Sequence, residues 1–195
     1  MGLKERVTRR FLRELRRAGV KQSDIIVVPV EATLQSYATL RLLSEVEEGY
    51  DTVLRALVLE PLPECFEAAL RGFDVVVPHS HSPSQVAEFM ECGYALVVMP
   101  LSADDLAVSV LDGALRMDWS FFRRDVQCRV AYPLAGTTLG EISRLYGGCG
   151  AVRGHGGAAG ELLGELEGRV TATALSKVYM RLREVLAREA GCLYR

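Results

Sequence analysis

The sequence predicts a doubly wound α/β domain: a mostly parallel sheet of about five strands with helices on both faces, closed by a C-terminal helical hairpin. Short β-branched runs, apolar at consecutive rather than alternate positions, recur along the chain, as strands buried on both faces require. Between them the apolar spacing changes to the three-to-four period of helices, which makes successive βαβ units and therefore a parallel sheet. No linker, low-complexity tract or internal repeat interrupts residues 1–195, so the reading is a single domain.

The elements follow in order. Val7, Phe11, Leu12, Leu15 and Val20, interleaved with Arg9, Arg10, Arg13, Arg16 and Arg17, predict a basic amphipathic helix within 1–21, ended by Gly19. Asp24 to Val30 is the first strand, 36–48 a helix through Leu40, Leu43 and Val46, and Thr52 to Leu59 the second strand. A short helix over 63–71 and a strand over Phe73 to Pro78 come next. A helix over 83–92 leads to a fourth strand, Tyr94 to Met99, and 103–117 is the clearest helix of the sequence. Gln127 to Tyr132 is the fifth strand, with helices over 138–146, 158–168 and 172–190. The last two, within 158–190, form the expected hairpin after a glycine-rich loop, Gly147 to Gly160.

At 49% hydrophobic and 25% charged residues, the composition is that of a globular chain and argues against disorder. The longest unbroken apolar stretch, Tyr94 to Leu101, is far short of a membrane span, and the charged opening residues lack the apolar region of a secretory signal. The expectation is a soluble cytoplasmic protein. Five cysteines (Cys65, Cys92, Cys128, Cys149, Cys192) are widely spaced, which fits neither a disulfide framework nor a zinc ribbon and makes reduced thiols the expectation. Asn is absent and 20 of 23 basic residues are Arg, a bias compatible with a thermophilic source and equally with a GC-rich genome.

Net charge is −2, but it is unevenly placed. Residues 1–21 carry eight Lys/Arg against two acids, and residues 169–195 carry six against two, so both ends are basic and the middle acidic. A polyanion can meet the ends; an overall basic nucleic-acid binder is not indicated.

In an open parallel sheet the ligand crevice lies at the carboxyl ends of the strands. The loop after the first strand reads Glu31-Ala32-Thr33-Leu34-Gln35-Ser36. Without glycine it does not readily make the tight turn that aims N–H groups at a phosphate, and Glu31 sets a carboxylate where an anion would bind.

This frame, Asp24 to Leu43, resembles the opening of the PP-loop ATP pyrophosphatases, whose strand runs into Ser-Gly-Gly-x-Asp-Ser. Glu31, Ala32, Thr33 and Gln35 stand in place of the Ser, both Gly and the Asp, and only Ser36 is kept. Pro100 to Asp118 is similar to the Gly-His-Asn-x-Asp-Asp helix of the tRNA thiolases, with Asp104 and Asp105 kept. Pro133-Leu134, Glu141, Tyr146 and Cys149 resemble their Pro-Leu…Glu…Tyr…Cys stretch, and Glu161 to Glu167 the opening of their C-terminal helices. The matches run in order over roughly residues 8–190. The thiolases also carry a Cys-x-x-Cys after the third strand; here that loop reads Pro78-His79-Ser80-His81-Ser82-Pro83-Ser84. The chain is therefore similar above all to the non-catalytic second subunit of the cytoplasmic tRNA 2-thiolation complex.

Each candidate residue carries two readings. His79 and His81 at alternate positions suit metal ligation only if Cys65 or Cys92 converges on them; otherwise they sit in a polar loop whose Ser82 or Ser84 caps a helix. Asp104 and Asp105 are nucleotide or magnesium residues by resemblance, or first-turn acids that favour the helix dipole. Cys149 is a residual nucleophile if Arg153 or His155 lowers its pKa, or an inert thiol. Arg9, Arg10, Arg13, Arg16 and Arg17 contact tRNA phosphates, or are the solvated face of an amphipathic helix. Trp119, Phe121 and Phe122, followed by Arg123 and Arg124, have the composition of an interface, or close the core beneath a loop.

The expectation is a non-catalytic PP-loop homologue, partner or scaffold in wobble-uridine 2-thiolation. It assigns no catalytic residue and no metal or other cofactor, takes ATP binding as lost, and expects pairing with a catalytic PP-loop thiolase or a second copy and contact with tRNA. The alternatives are an active adenylating or sulfur-transferring enzyme, and a stand-alone nucleotide-binding protein.

Overall fold

The computed structural model describes residues 2–21, 24–47, 52–77, 95–118, 129–151, 156–166 and 170–189. In chain order they form α1 (Leu3–Arg17), β1 (Ile25–Val30), α2 (Leu34–Glu47), β2 (Val53–Val58), β3 (Asp74–Val76), β4 (Ala95–Val98), α3 (Ala103–Arg116), β5 (Val130–Ala131), α4 (Leu139–Tyr146), α5 (Ala158–Leu166) and α6 (Ala172–Glu189). The strands make one five-stranded sheet in the order β3-β2-β1-β4-β5, parallel at every pairing. The predicted doubly wound α/β class is the observed one. None of the described helices is long and apolar enough to cross a membrane.

Successive strand residues point to opposite faces, so each central strand feeds two cores. Val28, Val30, Leu96 and Val98 join Phe11, Leu40, Leu43, Leu134 and Ile142 on the face covered by α1, α2 and α4. Val97 and Val130 join Leu106, Val110, Tyr132 and Tyr179 on the face of α3 and α6. Burial on both sides is the reason β1 and β4 read as unbroken apolar runs.

Local signals set the helix ends. Gly19 follows α1 at φ +70°, a conformation that costs glycine little. Ser102 and Asp105 form a reciprocal capping box on α3, and Thr138 and Glu141 form one on α4, each satisfying two N–H groups.

Two expectations shift. The predicted helix over 63–71 is one 3-10 turn, Glu64–Phe66, followed by irregular turns, because Phe66 and Ala69, three apart, are the buried residues and fit the tighter repeat. Strand β3 is the sheet edge, with Asp74 and Val75 exposed, rather than a strand buried on both faces. The two C-terminal helices lie against α3, where Ala159, Leu163 and Leu175 meet Ala107 and Leu111. The helix expected over 83–92 lies outside the described residues.

Candidate functional site

The strand order reverses between β1 and β4, so the crevice of this sheet opens at the carboxyl ends of those two strands. The structure brings Glu31–Ser36, after β1, and Ser102–Asp105, after β4, to that point. Gln35 and Asp105 meet there: the Gln35 amide donates to both carboxylate oxygens at 3.1 and 3.3 Å, and both side chains are buried. Asp105 also accepts from the Ser102 N–H (2.7 Å) and hydroxyl (2.6 Å). Its neighbour Asp104 accepts the Leu139 N–H at 2.7 Å and so ties the start of α4 to α3. Both aspartates hold helix starts together, the duty that first-turn acids suit.

The loop after β1 spends its N–H groups on the chain itself. Glu31 donates to the Ser36 hydroxyl (3.2 Å), Thr33 to the Glu31 carbonyl (2.7 Å), and Ser36 to the Thr33 hydroxyl (3.2 Å). Leu34 donates to the Ala151 carbonyl at 2.9 Å. The Ala32 N–H, where a phosphate loop would hold an anion, donates to the carboxylate of Glu60 at 2.7 Å. These residues therefore do not form a phosphate cradle: a side-chain carboxylate and a backbone carbonyl sit where phosphate oxygens would have to be.

A second segment lies over that loop. Thr33 and Ala151 form an isolated parallel bridge, and the Ala151 N–H donates to the Ala32 carbonyl at 2.9 Å. Gly150 approaches so closely that a Cβ there would lie 2.7 Å from the Thr33 carbonyl carbon, and its φ is +84°. Next to it, Cys149 is joined to Cys65 in a disulfide with Cα atoms 5.9 Å apart. This corrects the expectation of reduced thiols and removes Cys149 as a residual free thiol: residues 84 apart in sequence are brought together by the fold, a proximity that spacing cannot show. Arg153 and His155, its expected activators, lie outside the described residues.

Beside the start of α4 the molecule has a cleft of about 800 Å³ between α1 and α6. Arg10, Arg13 and Arg17 line one wall, Lys177 and Arg181 the other, and Glu14, Glu141 and Glu184 are the acids within it. Five cations against three carboxylates leave a surplus of two positive charges. Arg10 is committed to the fold, donating to Glu141 (2.7 Å) and the Gly136 carbonyl (2.9 Å). The buried Glu14 is shared by Arg13 (3.1 Å) and Arg17 (3.3 Å), both of which stay exposed. Arg9 and Arg16 extend the basic surface along the outside of α1. The cleft thus joins the two basic ends of the sequence, and Thr173 also lines it.

Sequence reasoning missed Glu60, Lys177, Arg181 and the Cys65–Cys149 pair. The net positive charge of 169–195 was the one available signal for the lysine and arginine. Trp119, Phe121 and Phe122, and also His79 and His81, lie outside the described residues. Among the described residues no three His, Cys, Asp or Glu side chains are grouped to hold a metal ion.

No family model and no curated protein matches the chain. Among solved structures, a U34-tRNA thiolase, NcsA, from Methanococcus maripaludis, described with its [4Fe-4S] cluster, is similar in fold: the TM-score is 0.69 at 14% identity, over 93% of this chain and 79% of that one. The similarity is one of fold and agrees with the doubly wound α/β class predicted from the sequence. The described residues do not fit such a cluster, since their two cysteines are used up in one disulfide and a cluster needs three or more protein ligands.

Proposed function

We propose that this chain is a non-catalytic PP-loop homologue that serves as a partner or scaffold in tRNA 2-thiolation, and that it works through the basic cleft between α1 and α6 rather than through the crevice of the sheet. The observation that carries this reading is the closure of the loop after β1. The Ala32 N–H is held by Glu60 and the Leu34 N–H by Ala151, while Gln35 and Asp105 bind each other beneath them. A triphosphate would have to break these bonds and displace a carboxylate before gaining any of its own. In the cleft, by contrast, exposed Arg13, Arg17, Lys177 and Arg181 stand on two helices around a space of about 800 Å³. Guanidinium groups suit phosphate oxygens geometrically as well as electrostatically. The thiolase similarity in fold supports tRNA as the RNA concerned.

Calorimetric titration with ATP and magnesium tests the closed crevice. The reading expects no heat of binding up to about millimolar ATP, an affinity weaker than roughly −4 kcal/mol. Micromolar binding would overturn it and return the chain to the nucleotide-using class. Pull-down from the native organism should bring with it a PP-loop protein that keeps an intact Ser-Gly-Gly-x-Asp-Ser.

A further inference from the structure

We propose that the Cys65–Cys149 disulfide is a redox-operated fastener: oxidised, it clamps the Gly147–Ala151 segment over the loop after β1, and reduced, it lets that segment lift away. This inference is independent of the RNA reading.

The placement of the two sulfurs is the first argument. Cys65 lies in the connection from β2 to β3, a few residues after Glu60, whose carboxylate holds the Ala32 N–H. Cys149 is two residues before Ala151, whose carbonyl holds the Leu34 N–H. Both ends of the disulfide therefore belong to segments that cover the same short loop, one from each side. Phe66, beside Cys65, and Tyr146, in the last turn of α4, pack edge-on against the same α2 ring, Tyr37, at 5.4 and 6.3 Å between centroids. The disulfide crosses between two arms that converge on the start of α2.

The composition of the covering segment is the second argument. Three of the five residues from Gly147 to Ala151 are glycine, with φ +112° at Gly148 and +84° at Gly150. Glycine loses more conformational freedom on ordering than any other residue. Among the described residues, the segment's other hydrogen bonds to the loop are two backbone bonds of 2.9 Å, between Leu34 and Ala151 and between Ala151 and Ala32. A glycine-rich segment held by so few bonds depends on its covalent anchor to stay ordered.

Accessibility is the third. Cys149 is buried, but Cys65 is exposed. A dithiol reductant can therefore reach one sulfur. Its thiolate attacks Sγ of Cys65, the protein S–S bond breaks, and Cys149 leaves as a thiolate that takes up a proton. The second thiol of the reductant then attacks the mixed disulfide, expelling Cys65 as the second thiol. In sum, two electrons and two protons pass from the dithiol to the protein, and the reductant becomes a disulfide. Opening frees the Leu34 N–H and the Ala32 carbonyl from their Ala151 partners while leaving β1, β2 and β4 paired.

Hydrogen exchange of the full chain, read by mass spectrometry with and without dithiothreitol, tests this. Alkylation under denaturing conditions beforehand should find Cys65 and Cys149 joined in the air-oxidised protein. On reduction, peptides covering 31–37 and 147–151 should exchange about tenfold faster or more, while peptides from β1, β2 and β4 keep their protection. Cys65→Ser should exchange at the fast rate with no reductant and no longer respond to it. Equal exchange at 31–37 in both redox states would overturn the proposal, because the segment would then be held without its anchor. Loss of protection throughout the sheet would also overturn it, because the disulfide would then be a staple of the whole fold. So would free thiols at both positions after oxidation. The wild-type comparison stands alone if Cys65→Ser fails to fold.

Discussion

Arg129 shows how a single residue ties the sheet to its surroundings. Its guanidinium donates to both oxygens of Asp24 at 3.1 and 2.8 Å and to the Gly19 carbonyl at 2.6 Å, joining the entry to β1 to the entry to β5. That hydrogen-bonded guanidinium holds the Asp24 carboxyl below the usual carboxylate range, against the opposing effect of burial. The folded chain thus favours the charged form more than the unfolded chain does, for which about 3.9 is normal. The resulting stability is fully present above about pH 4 and is lost as pH falls through the lower folded value. Asp24→Asn should therefore cost stability at neutral pH, by about 2 kcal/mol, and flatten the acid limb of a melting-temperature profile below about pH 4. An unchanged acid limb would show that Asp24 does not carry this linkage. The pair was not legible in the sequence, where its members stand 105 residues apart. The helix-stabilising reading of Asp105 was legible, because its bonds to Ser102 are local to the first turn, whereas the bond from the Leu139 N–H to Asp104 was not.

Between elements, the decisive contact is Gln35 on Asp105, which joins the start of α2 to the start of α3 beneath the crevice. Gln35→Glu changes one amide into a carboxylate of the same shape and sets two buried acids within about 3 Å of each other. Like charges so placed cannot both ionise without large cost. The variant should lose about 3 kcal/mol in denaturant melts at pH 7. A variant as stable as the parent at pH 7 would mean that the two side chains do not meet. Strands β1 and β4 were readable as apolar runs because they are buried on both faces, and the capped helix α3 because its signals are local. The 3-10 turn at 64–66 and the covering segment at 147–151 were not readable. Their conformations are set by packing against α2 and the loop after β1, and a glycine-rich stretch has no periodicity of its own.

For the molecule as a whole, charge was legible in amount and not in arrangement. The sequence shows a positive surplus in 1–21 and another in 169–195, but only the fold lays α1 and α6 along opposite walls of one cleft. It also shows that the loop after β1 contains no glycine, but not that Glu60 and Ala151 take N–H groups of that loop. These two facts support the same account: a sheet crevice closed by the chain's own atoms, with a charged surface elsewhere open to a polyanion. Phosphate contacts release counterions, so each contact removed lowers the salt dependence of binding by about one unit of slope. The most direct measurement is the affinity of the chain for tRNA, by fluorescence anisotropy across a salt series, for the parent and for Arg13→Glu with Lys177→Glu. One substitution lies on each wall of the cleft. The account predicts that the double variant binds at least about tenfold more weakly at the lowest salt, with a slope of log affinity against log salt shallower by about two. Identical affinity and slope for the two proteins, with both folded, would contradict it.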